Sequence, residues 1–389
     1  MTKKWSSRLT FFAFVVLMVG LGSNDSLRGI FSTIFQEHFS LTTTQLGLIV
    51  TASYIGNLVF LLVGGNLSTR FSKKRVLQVL ILIWMAALAL FAFTSNYTVL
   101  LIGMALALGS STLLNTTMNL ITPLLFATAP GFFVNFLFFT QEIGTSGSQY
   151  ILGSHADGFA FWQHTNLVLL ILGAVAFVLL LFCNVPEEAA APADVPAQKG
   201  GYDWRIIVPY VLVFGFYFIA EHGVMNWMVA YGVDGLGLPQ ASAAKYLSVF
   251  FGGMMIGRLC LSPLVDKLGA LKSLAAFGGV SCVLYLIGSL GGAVTMPVWA
   301  ISGLSFSILY PTLVMSIRLY FPAQQVSGAA GTILSIASLA DILFNVGFGK
   351  LVDMTGYAVS IRVLPLSALA FFIVFILFTK FCKPTQKLK

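Results

Sequence analysis

Five charged side chains lie inside long apolar stretches of this sequence: Asp25, Arg28, Glu142, Glu221 and Asp341. A charge in the middle of a membrane-spanning helix costs at least about 2.5–3.5 kcal/mol, so it usually faces the interior of a helix bundle. A carboxyl group in such a place can bind and release a proton, and it can also ligate sodium. We therefore predict that the four acids serve in proton or ion coupling.

The spacing of these charges leaves alternatives open. Asp25 and Arg28 are three residues apart and share one face of a helix. They either neutralise each other and only shape the helix, or Asp25 titrates while Arg28 modulates it or meets a ligand. Asp341 is either a coupling acid or a polar link to a neighbouring helix. His222, next to Glu221, is more typical of a core histidine than of a reactive one.

Amide side chains accompany the charges in the same apolar stretches. Amides and carboxylates both accept hydrogen bonds, and amides also donate them, which suits a ligand rich in hydroxyl groups. An indole such as Trp227 can stack on the C–H face of a sugar, although a packing role is the alternative. We predict that the following residues contact a small polar ligand: Asn24, Arg28, Asn115, Asn119, Gln141, Asn226, Trp227 and Asn345.

The composition explains where these side chains must lie. Charged residues make up only 9% of the 389 residues and apolar residues 58%, whereas a soluble domain has roughly 25% charged residues. Too little charge is present to solvate a globule, so the chain must face lipid. The net charge is +8, and the basic residues lie next to the apolar stretches. This arrangement is typical of membrane topology, so we expect no nucleic-acid partner. The four cysteines form no close pair, and we expect no metal site and no cofactor.

The apolar runs predict twelve transmembrane helices of about 20 residues or more. Their predicted spans are 9–37, 43–68, 75–94, 97–127, 131–154, 163–184, 205–233, 240–264, 272–291, 296–321, 325–352 and 358–381. The polar stretch 185–204 is interpreted as a cytoplasmic linker between two six-helix bundles, 1–184 and 205–389. If both termini are cytoplasmic, 17 of the 21 lysines and arginines lie on the cytoplasmic side.

The two bundles are related by an internal repeat. A shift of 197 residues places Asn24 opposite Glu221 and Asp25 opposite His222. Repeated halves of this kind are typical of secondary transporters, whose substrate site lies between the repeats near the midplane of the bilayer.

These features resemble the major facilitator superfamily, across the whole chain. The family signature, a basic loop of pattern G-x-x-x-D-R-x-G-R-R, is similar to residues 65–74, although Thr69 replaces the acid. The second copy keeps its acid in Asp266-Lys267-Leu268-Gly269. The resemblance implies the major facilitator fold, an all-α polytopic membrane protein. It also implies that these loops act as a cytoplasmic gate, with gating residues Arg70, Lys74, Arg258 and Asp266.

Within this superfamily the chain resembles fucose-permease-like sugar:proton symporters. The resemblance lies in Ala243-Ala244-Lys245-Tyr246-Leu247, Ile256-Gly257-Arg258, Ala220-Glu221 and Tyr310-Pro311-Thr312. Two acids of that group are absent here. The helix 4 run Leu114-Asn115-Thr116-Thr117-Met118-Asn119 has no glutamate, and the helix 1 acid would fall at Gly29, one turn after Asp25. The resemblance therefore implies that any coupling acid differs from that of fucose permeases.

Together these patterns predict a secondary active transporter in the inner membrane. It would move a small polar solute, a sugar or polyol, by alternating access and in symport with a proton. The first alternative is an exporter or organic-anion transporter that uses Arg28, with sodium or proton coupling. A non-transporting membrane sensor is a further alternative. No ATP-binding or hydrolase motif is present, so we expect no enzyme, and we expect a monomer in the lipid bilayer.

Overall fold

The computed structural model describes residues 3–126, 130–183, 185–186 and 203–384; the side chains at 3–6, 63–70, 130–132, 135, 266, 323, 324 and 327 lie outside the description. The described part of the chain contains helices and no strand. We label the long helical segments α1 (Lys3–Ile30), α2 (Thr43–Arg70), α3 (Lys73–Phe93), α4 (Tyr97–Leu125), α5 (Pro130–Ile151), α6 (Phe159–Phe182), α7 (Trp204–Ala230), α8 (Gln240–Leu268), α9 (Ala270–Leu290), α10 (Met296–Leu319), α11 (Ala323–Thr355) and α12 (Val363–Phe381).

The helices have the length and composition of membrane spans. Within the described residues, eleven helical segments are long and apolar enough to cross a membrane. Helix α5, of 22 residues, is a further long helix, so the structure is consistent with the twelve predicted spans. Large apolar side chains such as Leu62, Val168 and Phe182 are exposed, as expected for surfaces that face lipid. The predicted all-α polytopic class is confirmed.

The first and tenth predicted spans are each divided in the structure. The predicted first helix ends at Ile30, and a short helix, Ser32–His38, follows it. Segment α10 is broken into Met296–Ile301, Gly303–Phe306 and Leu309–Ser316. Proline has no N–H to donate, so Pro311 leaves the Ser307 carbonyl without its usual partner one turn later. The Ser302 and Ser307 hydroxyls also bond to carbonyls three residues earlier, at Trp299 and Leu304, which competes with helical bonding.

The chain divides into two compact units, Met1–Ala193 and Asp194–Lys389. Most of the predicted linker, residues 187–202, lies outside the described residues. The bundle boundaries at 184 and 205 therefore stay a prediction.

In the first unit, α1 and α5 approach closely because glycines face each other. A Cβ atom at Gly22 would collide with the Gln141 carbonyl, and one at Gly144 would collide with the Val19 carbonyl. Small residues of this kind let helix backbones come together in a membrane.

Hydroxyl groups then tie α1 to α5 along the same seam. The Ser26 and Ser148 hydroxyls share a hydrogen bond of 2.8 Å. The Thr145 hydroxyl donates to the Gly22 carbonyl at 3.2 Å, and the Ser23 hydroxyl donates to the Gly144 carbonyl at 3.2 Å. These contacts fix the register of α1 on α5, on both sides of Asp25 and just after Gln141 along the chain.

In the second unit, α7 packs against α8, α11 and α12 and is tied to α9 and α10 by tyrosines. The Tyr285 hydroxyl on α9 donates to the Ala220 carbonyl at 3.1 Å. The Tyr210 hydroxyl on α7 shares a hydrogen bond of 2.8 Å with the Ser316 hydroxyl on α10. Helix α7 is therefore held on several sides, which positions the polar residues in its middle.

The α1–α5 seam predicts opposite results for two glycines on one helix. Gly144→Ala should destabilise the protein by about 1–3 kcal/mol, because the added methyl group has no room. Gly147→Ala is the matched control, since nothing lies within 4 Å of a Cβ atom there, and alanine gains up to about 1 kcal/mol over glycine in a helix. Thermal unfolding of purified protein in detergent measures both. Equal melting temperatures for the two variants would contradict the close approach of α1 and α5.

Candidate functional site

A chain of amide side chains runs through the first unit, from α4 to α5. Ser111, Asn115 and Asn119 lie one turn apart on α4, at steps of about 6 Å. The Asn119 Nδ2 donates to Asn115 Oδ1 at 2.6 Å, and the Asn115 Nδ2 donates to Gln141 Oε1 at 2.7 Å. Asn119 Oδ1 is buried and has no hydrogen-bond partner among the described residues. Asn119 Oδ1 can therefore accept a hydrogen bond from a donor group of a ligand.

Asp25 lies beside this chain and is joined to it through α4. The Ser111 hydroxyl donates to Asp25 Oδ2 at 3.2 Å, whereas Oδ1 is buried and has no hydrogen-bond partner in the described part of the chain. The Oδ1 of the adjacent Asn24, which is 7% exposed, also has no such partner. An acid in this position can take up a proton, and the two oxygens can also accept hydrogen bonds from a ligand.

Arg28 follows Asp25 by one turn and is buried in α1. Its guanidinium lies over the Tyr54 ring of α2, with Cζ at 5.4 Å from the ring centroid. A cation over an aromatic face is stabilised by the ring quadrupole, by about 0.5–2 kcal/mol. The Arg28 charge is thus held by α2 as well as by its proximity to Asp25.

Glu142, the predicted coupling acid on α5, is half-buried. Successive residues of an α-helix point about 100° apart, so Glu142 does not share the direction of Gln141 and the amide chain. Glu142 and Gln141 are neighbours in the sequence, but their side chains leave the helix in different directions.

In the second unit, two polar contacts join α7 to α11. His222 Nδ1 lies 2.6 Å from Asp341 Oδ2. About one turn further on, Trp227 Nε1 donates to Asn345 Oδ1 at 2.9 Å, and Asn345 Nδ2 donates to the Asp341 carbonyl at 2.8 Å. Trp227 and Asn345 are fully buried, so in this structure the indole packs inside the unit rather than presenting a face to a ligand.

Glu221 has different neighbours from His222. The carboxylate is 8% exposed and lies within electrostatic range of three tyrosine hydroxyls, those of Tyr217, Tyr285 and Tyr310. Arg258 on α8 also acts on Tyr217 and Tyr310. Tyr217 and Tyr285 are fully buried, so Glu221 belongs to a buried polar cluster of the second unit. Asn226 is also buried on α7.

The four predicted gating residues have different positions. The side chains of Arg70 and Asp266 lie outside the described residues. Lys74, at the start of α3, donates to the Leu181 carbonyl at 3.0 Å and to the Cys183 carbonyl at 2.7 Å. A lysine on the last carbonyls of a helix satisfies acceptors that have no partner within that helix, so Lys74 caps α6 within one unit. Arg258 is on α8, ten residues before that helix ends at Leu268. It lies within electrostatic range of Tyr217 and Tyr310.

Several site residues were missed by sequence reasoning. Ser111 carried a usable signal, because it lies four residues before Asn115 on the same helix face. Tyr310 lies in a motif that was recognised for its resemblance only. Tyr54, Tyr217 and Tyr285 carried no signal, because an aromatic residue in an apolar helix is typical of packing.

The chain matches known membrane transporters along most of its length. Residues 10–340 match the family model of the Major Facilitator Superfamily. The L-fucose-proton symporter of Escherichia coli is 24% identical over 333 residues, which cover 74% of this chain and 75% of that protein. The glucose/galactose transporter of Brucella abortus is 27% identical over 344 residues, or 82% and 81% of the two chains.

Another relative is named for a solute that is not a sugar. The cis,cis-muconate transport protein of Acinetobacter baylyi is 24% identical over 297 residues, or 71% of this chain and 70% of that protein. Among solved structures, the D-xylose-proton symporter aligns with a TM-score of 0.79 at 16% identity over 97% and 98% of the two chains. At this identity the likeness is one of fold. The predicted family resemblance is confirmed.

The Lys74 contacts predict a structural effect for a residue of the gate motif. Lys74→Met should lower the stability of the protein by about 1–2 kcal/mol, because two helix carbonyls lose a charged donor. Arg75→Met is the control, since Arg75 is exposed on the next position of α3. Thermal unfolding of the purified variants measures the difference. If Lys74→Met melts like Arg75→Met, the two hydrogen bonds do not stabilise α6.

Proposed function

The chain belongs to the Major Facilitator Superfamily, a family of multi-pass membrane transporters and not of enzymes. We propose which class of solute it carries and how. The protein is a secondary active transporter of a small polyhydroxylated solute, a sugar or a polyol, taken up in symport with a proton. Transport follows alternating access in the inner membrane, with both termini cytoplasmic and the protein acting as a monomer.

The observation that carries this proposal is the amide chain of the first unit. Asn115 and Asn119 on α4 and Gln141 on α5 present donors and acceptors side by side, and Asn119 Oδ1 still needs a donor. A solute hydroxyl both donates and accepts, so it completes these pairs without bringing a charge into the membrane. A neutral solute with several hydroxyls suits this arrangement better than an apolar solute.

The named relatives support a sugar. The L-fucose-proton symporter and the glucose/galactose transporter carry sugars in their names, and both align with most of this chain. The half-buried Tyr310 adds a hydroxyl group near Glu221 in the second unit, which is a further partner for a sugar. We assign solute binding to Asn24, Asn115, Asn119 and Gln141 in the first unit and to Asn226 in the second.

The proton is assigned to Asp25. Its Oδ2 accepts from Ser111, and its buried Oδ1 is open to a proton or to a donor group of the solute. Protonation removes the negative charge, which lowers the cost of moving the site through an apolar environment. Sodium is the alternative coupling ion, since Asp25 and Asn24 both present oxygens of the kind that ligate it.

Transport of an organic anion is the second candidate, because one relative is named for cis,cis-muconate transport. Arg28 would then bind a carboxylate. Its guanidinium already lies over Tyr54, and Asp25 three residues away repels an anion, so the geometry favours a neutral solute. A thermal-shift screen of sugars, polyols and dicarboxylates separates the two: stabilisation by dicarboxylates alone would overturn the sugar proposal.

The amide chain predicts which α4 variant impairs solute binding. Asn115→Ala should raise the apparent KM for the transported sugar roughly tenfold or more, because Asn119 and Gln141 lose the side chain that orients them and the solute loses hydrogen bonds of about 1 kcal/mol each. Thr116→Val is the matched control on the next residue, since Thr116 is exposed and its hydroxyl bonds to its own helix at the Thr112 carbonyl. Sugar uptake into liposomes measures both, and an unchanged KM for Asn115→Ala would remove the amide chain from the solute site.

If Asp25 carries the coupled proton, its replacement should affect solute accumulation but not solute exchange. Asp25→Asn should abolish accumulation driven by a proton gradient and preserve counterflow exchange, because the amide resembles a permanently protonated acid. Glu142→Gln and Glu221→Gln are measured beside it in the same liposomes. If accumulation survives Asp25→Asn and is lost in one of the other two variants, that residue and not Asp25 couples the ion.

A further inference from the structure

The contact between His222 on α7 and Asp341 on α11 brings two titratable groups within hydrogen-bond distance. Nδ1 and Oδ2 are 2.6 Å apart. The Asp341 side chain is 2% exposed and that of His222 24%, so the imidazole lies between the buried carboxylate and more open space. The second carboxylate oxygen, Oδ1, is buried and has no hydrogen-bond partner among the described residues.

This distance requires a proton between the two atoms, since two lone pairs at 2.6 Å would repel each other. With the neutral imidazole donating to the carboxylate, the pair carries a charge of −1. One further proton on the pair makes it neutral, whether as imidazolium and carboxylate or as imidazole and carboxylic acid. A buried net charge is expensive in apolar surroundings, so the pair gains from binding that proton. Two groups this close titrate as one unit.

The surroundings of the imidazole favour the added proton. Phe218, one turn earlier on α7, stacks on the ring with centroids 5.3 Å apart and planes at 7°. A cationic ring is stabilised by an aromatic face. The described titratable and charged groups on α7 and the helices around it, besides Asp341, are Arg205, Tyr210, Tyr217 and Glu221 on α7 itself, Lys245, Tyr246, Arg258, Cys260 and Lys267 on α8, Lys272, Cys282 and Tyr285 on α9, Tyr310 and Arg318 on α10, Lys350 and Asp353 on α11, and Lys380 on α12.

Two of these groups, Lys350 and Asp353, lie far from Asp341 along α11. Lys350 and Asp353 follow Asp341 by nine and twelve residues, or about 13 and 18 Å at 1.5 Å per residue. Glu221 is adjacent in sequence to His222 and lies within electrostatic range of Tyr217, Tyr285 and Tyr310. The carboxylate of Asp341 is in hydrogen-bond contact with the imidazole.

The neighbouring link between the same helices does not titrate. Trp227 Nε1 donates to Asn345 Oδ1, and neither group changes its protonation between pH 5 and 9. The described contacts between α7 and α11 therefore include one that depends on a proton and one that does not. The internal repeat also places His222 opposite Asp25, so each unit has a titratable group at the same repeat position.

We propose that His222 and Asp341 form a proton-binding site in the second unit, separate from Asp25. A bound proton makes the pair neutral and holds α7 against α11, and its loss leaves a buried negative charge that loosens this contact. Proton binding itself is independent of the solute. Its consequence for transport, that occupancy of this site controls the rate of solute exchange, rests on the proposed function.

The first test measures the proton directly. The protein has four histidines, so purified full-length protein with ¹⁵N-labelled histidine gives few imidazole signals, and His222→Gln identifies that of His222. The His222 signal should titrate between pH 5 and 9. In Asp341→Asn its midpoint should change, because the imidazole has lost its hydrogen-bonded carboxylate. A signal that does not titrate, or a midpoint unaffected by Asp341→Asn, overturns the proposal.

The second test measures transport with equal pH on both sides of the liposome. Wild-type exchange of the sugar should show an inflection at the midpoint of the His222 signal, and His222→Gln should remove it. Tyr210→Phe is the control, since it breaks a non-titrating hydrogen bond between α7 and α10 and should keep the inflection. If His222→Gln keeps the inflection, the proposal that this site sets the rate of exchange is overturned. If wild-type protein exchanges no sugar or polyol, the proposed function fails, while the titration still decides whether the proton site exists.

Discussion

A polar side chain inside a hydrocarbon layer has no water to bind, so it must find its partners within the protein. This constraint governs the interior of both units. Nearly every buried hydroxyl with a described contact bonds to a carbonyl of its own helix or to a facing side chain, as Ser26 does with Ser148. The polar atoms that lack a partner are then informative. Asn119 Oδ1, Asp25 Oδ1 and Asp341 Oδ1 lie at the positions where a solute or a proton would complete the pairing.

The same constraint is met in two ways by helix pairs at corresponding repeat positions. Between α1 and α5, glycines bring the backbones together and hydroxyl groups bond across the seam. Between α7 and α11, longer side chains span the gap, through His222 with Asp341 and Trp227 with Asn345. Hydroxyl bonds keep their strength at any physiological pH, whereas a histidine–carboxylate pair does not. The first unit thus has a rigid seam beside its amide chain, and the second has a seam that can respond to protons.

Residues of a recognisable motif also take on local structural roles. Lys74 belongs to the basic loop that resembles the family signature, yet its ammonium group binds the last carbonyls of α6. Arg258 lies ten residues before the end of its helix, within electrostatic range of Tyr217. The ammonium group of Lys74 is thus bound within the first unit.

The sequence by itself determined the class of the protein, its family and its stock of polar residues. Apolar runs of sufficient length can form only helices in a bilayer, and the few charges inside them must face the bundle. Asp25, Asn115, Gln141 and Asp341 could therefore be singled out one by one. Their partners could not be read in this way, because Asn115 and Gln141, or His222 and Asp341, are brought together by helix packing across 26 and 119 residues. The tertiary structure alone decided that Trp227 is buried against Asn345 rather than facing a solute, and that a histidine typical of a core is hydrogen-bonded to a buried acid. The reason is that hydropathy places a residue within a helix, while rotation and register of the packed helices select its neighbour.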